Sequence, residues 1–101
     1  MKTVIVTRHK SFSEYLIEKG IAPSDAEVIT HVSDLEQIEG VCVIGVLPPH
    51  LAAHCDHVIT VPLNLSLEQR ERERNSGEDL TIDDIRDAAE DPIKYRVEIL
   101  P

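Results

Sequence analysis

Aromatic residues are scarce in this chain: 3% of 101 positions, with one phenylalanine, two tyrosines and no tryptophan. A hydrophobic core must therefore rest on Val, Ile, Leu and Ala. Cysteine is scarce too, and Cys42 and Cys55 do not amount to a disulfide framework. Cys42 lies inside an apolar run and reads as a small core residue. No stretch approaches the roughly 18 apolar residues of a membrane span, and Val4-Ile5-Val6 is too short for a signal-peptide core, with Arg8 following at once. A cytoplasmic protein without a membrane partner is expected. Gly-x-Gly-x-x-Gly and Walker-type loops are absent, so dinucleotide and P-loop readings have no support. Internal repeats and low-complexity segments are missing as well.

Positive charge is the other shortage. Ten Lys and Arg face nineteen Asp and Glu, a formal net charge of −9. That balance argues against broad binding to duplex nucleic acid. It leaves room for a small anionic ligand held by a few local cations. Residues 66–91 hold ten of the nineteen carboxylates, whereas Arg8 and Lys10 are two of only four cations before residue 63. The acidic segment reads as a solvated face, or as a flap over a ligand edge.

A chain of this length makes one domain, residues 1–101, able to bury a modest core. Its organising stretch is Gly40 to His50. Six apolar residues, interrupted by Gly45 and stopped by Pro48-Pro49, predict a strand buried on both faces. His50 to Cys55 then predicts a short helix with Pro49 at its first position. A strand, a tight turn and a helix start together offer backbone N–H groups to an anion, with His50 beside the turn.

The rest of the chain alternates around it. Thr3–Thr7 is a β-branched run that breaks into Arg8-His9-Lys10. Ser11-Phe12-Ser13-Glu14 predicts a capping box for a helix with Phe12, Tyr15 and Leu16 on one face, stopped at Gly20. Glu27–Val32 predicts an edge strand, and Ser33-x-x-Glu36 offers a further cap. His57–Val61 predicts a strand ended by Pro62. Ser66 and Gln69 cap a charged helix from Leu67 to about Asn75, and Thr81–Asp84 cap a last helix with Ile82, Ile85 and Ala89 on a shared face. Ile93–Leu100 alternates as a half-buried edge strand. The fold class is α/β, a sandwich around a mostly parallel sheet of about five strands, with the first and third strands central. Ligands of such sheets sit at the carboxyl ends of the central strands, which here carry Thr7-Arg8-His9 and Gly45 to His50.

Each candidate has a plainer alternative. Thr7-Arg8-His9-Lys10 suits a phosphate clamp, Arg supplying a fork of donors and Lys a point charge; otherwise it is a solvated basic loop. His50 suits a proton carrier or phosphate donor, or simply caps or packs its helix. His50 and His54, with Cys55 and His57 near by, resemble zinc ligands in spacing, but the Glu of a His-Glu-x-x-His motif is missing and Cys55-Asp56-His57 falls at a turn pointing elsewhere. No metal and no cofactor are expected. Asn64, past Pro62, could reach the same edge or serve as an ordinary turn residue.

Val6-Thr7-Arg8-His9, Gly45-x-Leu47-Pro48-x-His50-Leu51-Ala52-Ala53, and Pro62-Leu63-Asn64-Leu65 before an Arg/Glu-rich stretch give the chain a resemblance over nearly its whole length. It resembles the CRISPR-associated Csx family number sixteen, found with type III CRISPR systems. The resemblance implies a Rossmann-like, dimeric fold akin to domains that sense cyclic oligoadenylate. It implies a ring nuclease that cleaves this messenger, mainly cyclic tetra-adenylate, and so switches off signalling. The expected catalytic residues are Arg8, His9 and His50, with Thr7, Lys10, Gly45, Leu47, Pro48 and Asn64 as ligand-binding residues. Attack of a ribose 2′-OH on the adjacent phosphate needs no metal, only in-line positioning, charge stabilisation and a proton carrier. A module that sequesters the ring without cutting it is the alternative. A phosphatase or other nucleotide hydrolase using the same loops is a weaker third.

Overall fold

Four short runs, three of them rich in β-branched residues, pair as parallel strands, as their composition requires. In the computed structural model, which describes residues 1–76 and 80–101, these are β1 (Thr3–Val6), β2 (Glu27–Ile29), β3 (Cys42–Gly45) and β4 (His57–Thr60). A fifth strand, β5 (Ile93–Tyr95), runs antiparallel beside β4, and the sheet order is β2-β1-β3-β4-β5. β1 and β3 are both interior, in a register that pairs Ile5 with Ile44 and Val6 with Gly45. β3 is buried at all four positions, which accounts for its unbroken apolar sequence.

Side-chain alternation sends the sheet's apolar residues to two sides. On one side Ile5, Cys42 and Ile44 pack with Phe12, Tyr15 and Leu16 of α1 (Lys10–Glu18) and Ile85 of α4 (Ile82–Ala88). On the other, Val43 and Val58 pack with Ile38, Leu47, Cys55, and Ala52 of α2 (Pro49–Ala52). The result is a three-layer, Rossmann-like α/β sandwich. The remaining helix, α3 (Leu67–Ser76), is attached at its edge. Ser66 and Gln69 form the expected capping box, with N···O distances of 2.8 and 3.2 Å. Gln69 is buried and its amide donates to Asp84, as does Arg72, so this helix is held on one face rather than solvated all round. Thr81 and Asp84 cap α4 reciprocally, also as expected.

Several elements depart from the sequence reading. α1 starts two residues early, with His9 at its N-cap position and no side-chain cap. Ser11 cannot serve as a cap because its hydroxyl donates to the Leu80 carbonyl, tying α1 to the segment that leads into α4. The Ser33 cap is replaced by Asp34 before a single 3₁₀ turn, Leu35–Gln37, with Gln37 completing the box. The last strand stops at Tyr95: Val97 still packs on the core, but Ile99 and Leu100 are exposed. α2 has only four residues, too few aligned peptides for a useful dipole. Pro49 has no N–H to offer, and the amides of Leu51 and Ala52 both bond to the Pro48 carbonyl. The anion site expected at that helix start is therefore not built.

Candidate functional site

The carboxyl ends of β1, β3 and β4 open onto a hollow of about 470 Å³, within the range of small-molecule sites. Its lining includes Val6, Thr7, Arg8, His9, Phe12 and Gly45. Gly45 lets β3 lie close against β1 at the edge of the hollow. Its φ is +148°, and a Cβ built there would lie 2.5 Å from the Val6 carbonyl oxygen. Only glycine fits both the backbone and the contact.

Thr7 shapes the basic turn by accepting the His9 backbone N–H at 3.1 Å. Among the described residues the Arg8 side chain has no hydrogen bond or ion pair, although carboxylates outnumber cations in the chain. Its fork of donors stands exposed beside the hollow, where it can meet an anion. His9 lines the same hollow, and its Nε2 lies 3.7 Å from Glu73 Oε1 on α3. Across the hollow, Thr60 Oγ1 is 3.2 Å from both the Gly45 carbonyl oxygen and Tyr95 Oη. Since each hydroxyl has one proton, Tyr95 donates to Thr60 and Thr60 to Gly45. This relay fixes the floor between β3, β4 and β5.

The other expected site residues fall elsewhere. Leu47 is buried in the core beneath α2, so it packs rather than lines the hollow. Pro48 is exposed as the residue before α2, and His50 is exposed on α2; neither lines the hollow. Lys10 is exposed at the start of α1, 4.0 Å from Glu14. Asn64 is exposed with its backbone N–H donated to Ala88, and its neighbours Pro62 and Leu63 reach the hollow instead. The histidine and cysteine cluster separates as well. Cys55 is buried, its thiol donating to Leu51, while His57 Nδ1–H donates to Asp56 at 2.7 Å and holds that carboxyl below the usual range. Among the described residues no three His, Cys, Asp or Glu side chains gather as metal ligands.

Three polar residues of the site were not singled out from sequence. Thr30, just beyond β2, and Thr60, ending β4, occupy strand ends, and applying the strand-end rule to every parallel strand finds both. Glu73 has no such signal, because its approach to His9 depends on how α3 is hung from Asp84.

The chain is thus an α/β sandwich with a hollow at the carboxyl edge of its parallel strands, the place where open sheets of this class hold their ligands. The chain belongs to the family described as "Putative CRISPR-associated protein (Cas_VVA1548)", whose profile matches residues 4–98. No curated protein and no solved structure matched in the corresponding comparisons.

Proposed function

We propose that this CRISPR-associated protein is a ring nuclease of the Csx family number sixteen type, binding cyclic oligoadenylate and opening it without a metal. The observation that carries this reading is the hollow itself, where Thr7, Arg8 and His9 converge at one strand end. Membership in a CRISPR-associated family supports a CRISPR-related ligand.

In the proposed reaction a ribose 2′-OH attacks the neighbouring phosphorus. The new P–O2′ bond forms as the P–O5′ bond breaks, leaving a 2′,3′-cyclic phosphate and a 5′-hydroxyl. His9 takes the 2′-OH proton, and the leaving 5′-oxygen gains one from His9 or solvent. Arg8 donates to the non-bridging oxygens, where charge grows in the transition state. The hydroxyls of Thr7, Thr30 and Thr60 orient the nucleotide, and Phe12, Val46 and Val61 give its base an apolar wall. His50 lies outside the hollow, so His9 is the better-placed proton carrier.

Incubating the protein with cyclic tetra-adenylate in excess chelator, then resolving the products, tests this. Linear oligoadenylate ending in a 2′,3′-cyclic phosphate is the expected result. Tight binding with the ring recovered intact would indicate a sequestering protein. Cleavage abolished in chelator and restored by zinc or manganese would overturn the metal-free mechanism.

A further inference from the structure

The chain has six arginines. Arg72, Arg86 and Arg96 are paired, with Asp84, with Glu18 and Asp83, and with Asp56 respectively. Among the described residues the side chains of the other three, Arg8, Arg70 and Arg74, have no hydrogen bond or ion pair. Those three border two hollows. Arg8 lines the one at the sheet edge, while Arg70, Glu73 and Arg74 line a second of about 290 Å³.

Helical geometry brings the three α3 side chains together. Positions 70, 73 and 74 share one face of α3 at i, i+3 and i+4 spacing, while Gln69 and Arg72 turn to Asp84 on α4. Arg70 and Arg74 have Glu68, Glu71 and Glu73 as sequence neighbours, yet among the described residues they pair with none of them. His9, which lines the first hollow, and Glu73, which lines the second, approach to 3.7 Å between Nε2 and Oε1.

We propose that the Arg70–Glu73–Arg74 face of α3 is a second phosphate subsite, continuous with the Arg8–His9 hollow. It rests on the oligoadenylate reading above and adds a requirement to it: the ligand must carry phosphates on successive nucleotides. One phosphodiester lies at Arg8, and the next passes over His9 and Glu73 to Arg70 and Arg74. Mononucleotides fill the first position alone. Glu73 is of the wrong sign for a phosphate and weakens the subsite, which makes it a control.

The test is calorimetric titration of the wild type, Arg70→Gln/Arg74→Gln and Glu73→Gln with cyclic tetra-adenylate, and with linear tetra-adenylate as second probe, over rising salt. Circular dichroism checks that each variant keeps its helices. The double variant should bind roughly 10- to 100-fold more weakly, the range for removing one charge-assisted hydrogen bond. Its slope of log affinity against log salt should become shallower by about 0.7, as expected when one fewer phosphate is neutralised. Glu73→Gln should bind more tightly than wild type. An unchanged affinity and slope in the double variant would overturn the subsite while leaving the ring-nuclease reading intact. Weaker binding by Glu73→Gln would also contradict it. A wild type that binds neither probe would overturn both.

Discussion

Gly45 shows how one residue can serve fold and site together. Its backbone lies where other residues are strained, and its missing side chain leaves the space that the Val6 carbonyl occupies. Gly45→Ala should cost on the order of 1–3 kcal/mol, the usual range for such strain, read as a lower denaturation midpoint. Arg8 and His9 sit beside it with different duties. Arg8→Ala should weaken ligand binding and turnover together, by about 1.5–3 kcal/mol, if it donates to the phosphate. His9→Ala should lower turnover by about 10²–10⁴-fold while changing binding less. His50→Ala should cost less turnover than His9→Ala, and equal effects would call for a ligand pose that reaches α2. Burial pushes the thiols of Cys42 and Cys55 up, away from the reactive thiolate. Iodoacetamide should leave both unlabelled in the native protein and label both after unfolding.

At the scale of elements, the join between α3 and α4 depends on Asp84. Its carboxylate accepts the Thr81 backbone N–H that begins α4, and then Arg72 and Gln69 from α3. Those bonds hold its pKa at about 2, below the ordinary 3.8. A depressed carboxylate stabilises the folded state fully above its unfolded pKa and loses that contribution as pH falls through the folded value. Asp84→Asn should therefore be less stable than the wild type at neutral pH, by about 1–2 kcal/mol after allowing for solvent screening. The gap should close between about pH 4 and pH 2. A gap independent of pH would mean that the charge of Asp84 is not what joins the helices.

The same elements show what sequence can and cannot disclose. The interior strands β1 and β3 were legible because burial on both faces demands uninterrupted apolar residues. The caps at Ser66–Gln69 and Thr81–Asp84 were legible because they are local bonds between residues three apart. The cap assigned to Ser11 failed for the opposite reason: its hydroxyl is used by Leu80, a partner 69 positions away. Arg8 and His9 line the hollow at the strand end where the strand-end rule places ligands. Leu47 belonged to the same motif by spacing, yet the turn after β3 directs it into the core. Glu73 reached the site only through the docking of α3, which no local pattern encodes.

For the molecule as a whole, one hollow of about 470 Å³ is small beside a ring of four nucleotides. A two-fold dimer would present Arg8 and His9 twice, matching the ring's own symmetry. Val46 at the rim and Leu67 at the start of α3 are 80% and 73% exposed and offer apolar surface for such an interface. Light scattering should give twice the monomer mass, and calorimetry one ring per two chains. A monomer binding one ring per chain would exclude this arrangement.

The most direct measurement is a single-turnover reaction of excess protein with cyclic tetra-adenylate in chelator, run for wild type and Arg8→Ala. A ring nuclease converts the ring to linear product with a 2′,3′-cyclic phosphate end, and Arg8→Ala does so far more slowly. A ring still intact with wild-type protein bound to it, or cleavage at the same rate without Arg8, would contradict the function proposed for this site.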